Sequence, residues 1–454
     1  MKKNNHASFR DPAGFVFHDE AGTVHRQINQ AGAGDYQKLM SSGLYDELVK
    51  AGQLIAHEEK PRKKSDSWHA IIKPAHVPFI TYPFEWSFSQ LKDAALLTLT
   101  IQQKALAKGM SLKDASAYNM QFLDGKPVLI DTLSFEVYHE GSPWKAYRQF
   151  CEHFLAPLAL MAYSDLSLSQ LLRIHLDGIP LGLAVKLLPR RARLRPGLLM
   201  HLFLHARAQS AKAGDHKTQQ AVLRQAQLEA VLANLKNTVA HLRPLHATTE
   251  WGDYYRNTNY TATAADNKAK LIRTFVKPLK FKTALDLGGN NGHYARVLNE
   301  FGVSAICSDI DPNAVEANYQ IAKKNGSKNM LPLVIDLKNP GGAIGWANRE
   351  RAPIHERLQV DLVMALALVH HLAISNNVPF EKLAEYFSSF GPYLIIEFIP
   401  KADSQVKKLL STREDVFAEY DQEHFVAAFL EHYTLEQEAP IDGTLRTLYL
   451  FKRK

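Results

Sequence analysis

Two acidic residues and a group of glycines stand where apolar segments of the chain end. Asp286 lies near the end of one such segment, and Gly288 and Gly292 follow it in a turn. Glycine lets the backbone pass close to a ligand where any Cβ would collide. The next apolar segment, residues 303–308, is followed by Asp309, whose carboxylate can accept hydrogen bonds from both hydroxyls of a ribose. These residues in this order predict a site for a cofactor that contains a ribose.

The spacing of the glycines restricts the choice of cofactor. A dinucleotide site uses the pattern Gly-x-Gly-x-x-Gly, which brings a helix N-terminus up to a pyrophosphate. Here the glycines are Gly288, Gly289 and Gly292, and they follow Asp286. This spacing fits NAD poorly. The elements that must position the turn are an apolar strand before it, a helix after it and a second strand that ends in an acid.

The pattern Asp-x-Gly-x-x-x-Gly, with residues 309–313 after the next strand, resembles the first two motifs of class I S-adenosylmethionine-dependent methyltransferases. The resemblance covers residues from about 250 to 454 and implies an α/β fold with a Rossmann-like seven-stranded sheet. It also implies S-adenosyl-L-methionine as cofactor, a molecule without phosphate. In that family the glycine turn wraps the amino-acid part, the acid after the second strand binds the ribose, and the acid after the third strand faces the adenine.

By resemblance these roles fall on individual residues of this chain. Asp309 is the predicted ribose ligand, and Asp336 is the predicted neighbour of the adenine. Asn290 stands where the family often has a third glycine, and asparagine tolerates a left-handed backbone better than other non-glycine residues. The predicted cofactor-binding residues are Asp286, Gly288, Gly289, Asn290, Gly292, Asp309, Ile310, Asp336, Leu337 and Ala365. A lone glycine turn often serves only strand-to-helix packing, and a lone acid can be a helix N-cap; their common order favours a ligand site.

The predicted fourth strand, residues 360–372, is an apolar run with polar boundaries, as expected of a strand buried on both faces. It resembles the family's fourth motif, whose end faces the transferred methyl group. His370 and His371 lie at that end, and an imidazole titrates in the range that suits a general base. Either histidine could instead orient the substrate or be satisfied by backbone groups. Glu397, in the predicted fifth strand 393–398, is a second polar candidate.

The acceptor is inferred from the same region. A pair of histidines at this strand end resembles enzymes that act on small molecules or sugars, and the absence of an Asn-Pro-Pro-Tyr-type sequence argues against a nucleic-acid base. The resemblance therefore implies a hydroxyl or amine of a small molecule or glycan. Upstream, the aromatic and polar segment Thr248–Tyr260, with Tyr254 and Tyr255, predicts either a lid or substrate loop or simple packing between domains.

The chain is long enough for two domains, since its 454 residues are 46% hydrophobic. Residues 1–143 are predicted to form an α+β region, residues 144–245 a helical basic region that completes the N-terminal domain, and residues 246–454 the methyltransferase domain. Strands of the first region are predicted at Gly14–Phe17, Ala70–Ile72, Val77–Ile80 and Pro127–Ile130, and helices of the N-terminal domain over residues 87–108 and 218–242.

Inside the first region, Asp114, Asn119 and Asp131 have a spacing that resembles the catalytic loop and metal-binding aspartate of kinase-like folds. In that resemblance Asp114 is the base, Asn119 and Asp131 hold magnesium, and Lys73 is the lysine that contacts phosphate, with Glu85 as its partner. The chain departs from the pattern because it has no glycine-rich phosphate loop and no Asp-Phe-Gly. The alternative is that the three residues serve as turn and capping residues.

Positive charge is concentrated in one segment. Residues 181–245 contain eleven Lys or Arg against two acids, a net charge of +9, whereas the whole chain carries +8. The densest cluster, residues 186–195, predicts either an anionic partner (a lipid surface, an acidic glycan or RNA) or a solvated loop.

The remaining features of the sequence bear on the cellular compartment and on the functional class of the protein. The sequence shows no apolar run long enough to span a membrane and no signal peptide, and Cys151 and Cys307 give no disulfide framework, so a cytoplasmic protein is expected. No Cys/His metal spacing is present. The arrangement also resembles methyltransferases related to host-specific nodulation proteins. Three hypotheses remain: a methyltransferase whose N-terminal half selects the substrate, a bifunctional protein with a kinase-like ATP-binding half, and a non-catalytic scaffold.

Overall fold

The computed structural model describes residues 3–4, 8–61, 67–212, 223–245, 261–411 and 413–454. The chain divides into two compact units. The first comprises Met1–Leu245 with Gly342–Ala352, and the second comprises His246–Gly341 with Pro353–Lys454. The segment Thr248–Tyr260, predicted as a lid or as interdomain packing, lies outside the described residues.

The described residues of the first unit begin with a five-stranded antiparallel sheet of order β1-β2-β3-β5-β4. Its strands are Lys3–Asn4 (β1), Gly14–His18 (β2), Val24–Ile28 (β3), His57–Glu59 (β4) and Ala70–Pro74 (β5). Helices Ala33–Ser41 (α1) and Leu44–Lys50 (α2) lie between β3 and β4 along the chain. The predicted strands at residues 14–17 and 70–72 are confirmed. The predicted strand Val77–Ile80 is wrong: this stretch has no regular structure, and Pro78 within it cannot donate a ladder hydrogen bond.

A long helix, Phe88–Ala107 (α3), confirms the prediction over residues 87–108. It begins at Ser87, whose hydroxyl accepts a hydrogen bond from the Gln90 N–H in a capping box. Gln102 interrupts the apolar face of α3 and is buried, but it is satisfied: its amide donates to Ser111 Oγ at 3.0 Å and accepts from the Leu112 N–H at 2.7 Å. Its burial is therefore compatible with a close-packed core.

Short strands and helices complete the first unit. The strands are Met110–Leu112 (β6), Met120–Leu123 (β7), Lys126–Leu129 (β8) and Phe135–Val137 (β9), with β6 paired to β9 and β7 to β8. The helices are Tyr147–Phe150 (α4), Ala156–Tyr163 (α5), Leu171–Ile174 (α6), Leu181–Leu187 (α7), Pro196–Leu198 (α8), His205–Lys212 (α9) and Gln225–His241 (α10). A π-helical turn at Cys151–Leu155 joins α4 to α5, and another at Leu199–Leu204 joins α8 to α9. Residues 144–245 are thus mainly helical where described. Of the helix predicted over residues 218–242, α10 covers Gln225–His241, and residues 218–222 lie outside the described residues.

In the described residues of the second unit, seven strands form one sheet of order β12-β11-β10-β13-β14-β16-β15. The strands are Thr283–Leu287 (β10), Ser304–Asp309 (β11), Met330–Val334 (β12), Leu362–Ala365 (β13), Tyr393–Phe398 (β14), Tyr433–Pro440 (β15) and Thr447–Arg453 (β16). Strands β10 to β14 are mutually parallel, and β16 runs antiparallel to β14 and β15. The predicted α/β fold with a seven-stranded sheet is present.

The helices of this unit connect the strands. They are Ala262–Val276 (α11), His293–Asn299 (α12), Pro312–Lys324 (α13), Ile354–Arg357 (α14), Phe380–Ser388 (α15), Ser404–Leu410 (α16) and Gln422–His432 (α17). Because β10 to β13 are parallel, their carboxyl ends meet at one edge of the sheet, the edge where open α/β sheets bind ligands. Along the described part of the chain, no helix combines the length and apolar character needed to span a bilayer.

The fourth strand differs from its prediction. The apolar run of residues 360–372 forms a strand only over β13; Ala367 then has φ of +49°, and a π-helical turn follows at His371–Ser375. His370 and His371 therefore lie beyond a turn rather than at the strand end. The whole run is apolar because the turn is buried as well as the strand, so composition did not separate the two.

Candidate cofactor site and active site

The turn after β10 is shaped by close approach of its backbone to neighbouring groups. Gly288 and Gly292 have φ of +70° and +80°. A Cβ on Gly289 would lie 2.4 Å from Asp286 Oδ2, and one on Gly292 would lie 2.5 Å from the Asn318 side-chain amide. A side chain fits at neither position without a shift of the surroundings. Asn290 has φ of +50°, the left-handed conformation that the replacement of glycine by asparagine permits.

The carboxyl group of Asp286 is buried beside the glycine turn. Neither of its oxygens has a hydrogen-bond partner of good geometry within the described residues; the Ala295 N–H approaches and only weakly favours the charged form. Burial raises the pKa of Asp286 to about 8, against the opposing effect of the Lys268 ammonium. A buried polar group without a hydrogen-bond partner is destabilising, and such a group with a shifted pKa is a candidate for contact with a ligand.

Asp309 ties the glycine turn to β11. Its Oδ2 accepts a hydrogen bond from the Asn290 N–H and its Oδ1 from the Asp311 N–H, both at 2.9 Å. Burial raises the pKa of Asp309 to about 6, and these two hydrogen bonds oppose the shift. Each carboxylate oxygen retains a lone pair for a further donor. The side chain of Ile310, directly after Asp309, is 47% exposed and offers an apolar surface at the same edge.

The other predicted cofactor residues follow the ends of neighbouring parallel strands. Asp336 and Leu337 lie just beyond β12 and are half-buried, and Asp336 Oδ1 accepts the Lys338 N–H at 3.0 Å. Ala365 ends β13 beside Leu287 of β10 and is buried. The fold therefore assigns all of these residues to the edge that carries Asp286 and Asp309.

The rings of the two histidines contact each other, with centroids 4.0 Å apart and planes inclined by 38°. His370 is buried, whereas His371 is half-buried. Burial, with repulsion from Arg446, lowers the pKa of His371 to about 4, and burial holds the pKa of His370 well below its usual range. Both imidazoles are consequently neutral at pH 7 and able to accept a hydrogen bond or a proton.

Glu397 belongs to a buried network of charges rather than to an open rim. Its Oε2 accepts from Lys268 Nζ at 2.5 Å and from the Ala367 N–H at 2.9 Å, and its Oε1 lies 3.2 Å from Arg446 Nη1. Arg446 in turn pairs with Asp403 at 2.8 Å. The network thus connects α11 and β14 to the turn that leads to His370.

Comparison with known proteins assigns the family. The chain is 36% identical over 457 residues to nodulation protein NoeA of Rhizobium meliloti (strain 1021), an alignment that covers 98% of this chain and 95% of that protein. The chain belongs to the NoeA family. This relative confirms the resemblance to nodulation-related proteins, and no protein-family model matches the chain.

Two solved structures are similar to part of this NoeA-family chain. N-methyltransferase NodS from Bradyrhizobium japonicum WM9 has a TM-score of 0.32 and 12% identity, covering 42% of this chain and 97% of NodS. Magnesium protoporphyrin IX methyltransferase (ChlM) from Synechocystis PCC 6803, with bound SAH, has a TM-score of 0.33 and 16% identity, covering 45% of this chain and 93% of ChlM. At these scores both structures are distant from the chain as a whole.

The first unit of the NoeA-family chain brings together Asp114, Asn119 and Asp131. Burial raises the pKa of Asp114, and the negative charge of Asp131 adds to the shift. Asp131 Oδ1 lies 2.6 Å from a guanidinium nitrogen of Arg26 and also caps the turn at Leu133. Its charge is therefore already paired by the protein. Asp114 caps a turn through the Ser116 N–H, and Asn119 donates from its amide to a serine hydroxyl.

Lys73 and Glu85, the other two residues of the kinase-like pattern, differ from each other in burial. Lys73 is exposed on β5, whereas Glu85 is buried and accepts the Tyr82 N–H at 2.7 Å. Over the described ranges of the chain, no group of three or more His, Cys, Asp or Glu side chains is arranged to hold a metal ion. Cys151 and Cys307 are both buried and free.

Two members of the charge network were missed by sequence reasoning. Lys268 lies four residues after Ala264 and four before Ile272, on the buried face of α11, and Arg446 stands just before the apolar strand β16. A cation on an otherwise apolar helix face was a detectable signal for Lys268, because a lysine is rarely fully buried unless it is paired.

Proposed function

We propose that this NoeA-family protein is an S-adenosylmethionine-dependent methyltransferase. The observation that carries the proposal is the unsatisfied, buried carboxylate of Asp286 beside the glycine turn, with Asp309 at the end of the adjacent parallel strand. S-Adenosylmethionine presents a cationic amino-acid part and a ribose. Asp286 would hold the cationic part and Asp309 the ribose hydroxyls, while the exposed Ile310 side chain suits the apolar face of an adenine.

Gly288, Gly289, Asn290 and Gly292 would allow the cofactor to lie against the backbone, and Asp336, Leu337 and Ala365 would line the rest of the edge. When bound, the cofactor supplies an activated methyl group. The protein's contribution is to align the acceptor and exclude water. We propose that the acceptor is a hydroxyl or amine of a small molecule or glycan and that the N-terminal half selects it.

Within this proposal His371 accepts the proton of the acceptor, or orients the acceptor by a hydrogen bond, and His370 holds the ring of His371 by packing against it. His371 is the better placed of the two because its side chain is half-buried rather than enclosed. Its low pKa keeps it unprotonated but makes it a weak base, so its contribution belongs at the lower end of the usual range for general-base catalysis, about a hundredfold in rate.

The neutral state of His371 has a measurable consequence for stability. Its folded pKa lies below the unfolded value of about 6.5, so the unfolded state binds more protons between pH 6.5 and 4, and stability is lost as pH falls through that window. We expect His371→Gln to be relatively more stable at pH 5 than at pH 7, by up to about 2 kcal/mol. Urea denaturation of both proteins at each pH measures this difference. An unchanged difference would show that His371 titrates normally.

Calorimetric titration with S-adenosylmethionine tests the proposed function. We expect the wild type to bind and Asp309→Ala to lose affinity by roughly a hundredfold, because two charge-assisted hydrogen bonds to the ribose are removed. Asp415→Ala, which removes an exposed acid of the same unit, is the matched control and should bind normally. Failure of the folded wild type to bind would overturn the proposal and favour the scaffold hypothesis.

A second function, binding of Mg-ATP by the first unit, would rest on the proximity of Asp114, Asn119 and Asp131. The ion pair between Arg26 and Asp131 counts against it, because a carboxylate already neutralised by a guanidinium is a poorer ligand for magnesium. Titration of the same protein with Mg-ATP, with Asp131→Ala as control, distinguishes the two functions.

A further inference from the structure

One surface of the first unit combines positive charge with exposed apolar side chains. We call residues 181–207 the basic face. From residue 178 to residue 212 the chain contains no Asp or Glu. Over the same stretch the exposed basic side chains are Lys186, Arg190, Arg191, Arg193, Arg195 and Arg207. Such a run creates a positive potential that no acid of its own segment reduces.

Large apolar side chains project from the same face. Leu194 is 82% exposed and Leu204 is 52% exposed. Leu187, Leu199 and Met200 are also exposed, whereas His201, Leu202 and Ala206 on the opposite side of the same helical stretch are buried. The helical stretch therefore has one side in the core and a second apolar side in water. Exposed apolar groups gathered in this way mark an interaction surface.

The basic face is held in a defined shape. Arg191 Nη2 donates to the Tyr163 carbonyl at 3.0 Å, and Arg195 Nε donates to the Tyr163 hydroxyl at 3.1 Å. The Arg193 guanidinium lies 5.1 Å from the ring centroid of Phe203. Helix α7 and the turn at residues 190–194 each pack against the π-helical turn at residues 199–204. Leu194 thus projects from a fixed turn, and binding through it costs little ordering entropy.

We propose that the basic face docks on the surface of an anionic lipid bilayer. Arginine and lysine side chains bind anionic headgroups, and leucine and methionine side chains insert at the boundary of the acyl chains; a surface with both is typical of peripheral membrane binding. A nucleic acid would use the cations but would leave Leu194 and Leu204 in water. A second copy of the chain would set two positive faces against each other.

Vesicle flotation tests the proposal with the full-length protein. We expect binding to vesicles of phosphatidylcholine with phosphatidylglycerol, little binding to phosphatidylcholine alone, and weakening as salt is added. The triple variant Lys186→Gln, Arg190→Gln, Arg193→Gln should bind the anionic vesicles roughly a hundredfold more weakly, since each cation contributes about fivefold. Leu194→Ser should weaken binding about tenfold, because one leucine no longer inserts.

Matched variants in the second unit serve as controls. The triple change Lys277→Gln, Lys280→Gln, Lys324→Gln removes the same charge from exposed positions, and Leu445→Ser removes an exposed leucine; neither should change vesicle binding. Leu204→Ser provides an independent test of insertion. The proposal is overturned if the wild type ignores anionic vesicles, or if both leucine variants bind as the wild type does. It is also overturned if single-stranded RNA competes with the vesicles for Lys186, Arg190 and Arg193. A dimer in sedimentation that Leu194→Ser dissociates would overturn it as well.

Discussion

Asp286→Asn is expected to weaken cofactor binding strongly and, at the same time, to make the ligand-free protein more stable. The Asp286 carboxyl group is buried and lacks a hydrogen-bond partner among the described residues, so it lowers the free energy of unfolding of the ligand-free protein. A bound cation would complete it. Loss of the Asp286 carboxylate should weaken the binding of S-adenosylmethionine by about a hundredfold or more, which is the usual effect of truncating one member of a buried charge pair. Calorimetry of the wild type and the variant measures the loss.

The pH dependence of stability gives this prediction its sign. Burial raises the pKa of Asp286 from 3.8 to about 8. Between these values the folded state holds a proton that the unfolded state has released, so the stability of the wild type falls as pH rises. Asparagine does not titrate. The stability of the variant relative to the wild type should therefore grow by about 1.4 kcal/mol per pH unit between pH 5 and 8, measured by urea denaturation.

Asp309→Asn is the matched control for that measurement. Burial raises the pKa of Asp309 only to about 6. The stability of Asp309→Asn relative to the wild type should therefore stop changing near pH 6, whereas the stability of Asp286→Asn relative to the wild type should keep rising to about pH 8. A flat difference for Asp286→Asn would mean that Asp286 is ionised and paired in the free protein. The cofactor affinity of the wild type should also rise with pH between 6 and 7.5, since a cation binds the ionised carboxylate, and the variant should show no such rise.

Those parts of the site that depend on local pattern were predictable from the sequence. The glycine turn and the strands β10, β11 and β14 follow from apolar segments bounded by punctuating residues, and these signals lie within a few residues of each other. The left-handed conformation of Asn290 follows from the same turn. The order of the strands in the sheet follows from the family resemblance and not from any local signal.

The rest depends on contacts between distant parts of the chain. Lys268 meets Glu397 across 129 positions of sequence, and Glu397 meets Arg446 across 49. No periodicity predicts which buried charge will find which partner. The prediction of the length of the fourth strand was wrong for a related reason. Residues 366–369 are apolar like β13, but they form a turn that leads into a π-helical segment, and an apolar composition alone does not specify backbone conformation.

Lys268→Met is expected to destabilise the protein by about 3 kcal/mol, the lower end of the effect of breaking a buried ion pair. Lys268 is fully buried, with its ammonium 4.6 Å from the centre of the Tyr294 ring and 2.5 Å from Glu397. Burial lowers the pKa of Lys268 and the carboxylate opposes that shift. Without the lysine, Glu397 still pairs with the Arg446 guanidinium, which is why the expected loss is not larger. Urea denaturation measures the change.

The double variant Lys268→Met, Glu397→Gln separates the contribution of the Lys268–Glu397 ion pair from the contribution of side-chain packing. Glutamine can still accept the Ala367 N–H, so removing both charges should recover part of the stability, with a coupling energy of about 2 kcal/mol. Arg273 and Glu300 are the matched control, since they form a two-bond ion pair from the same helix α11 but are exposed. Their coupling should stay below about 1 kcal/mol and fall with added salt. Equal coupling for both pairs would show that burial does not strengthen the Lys268 pair.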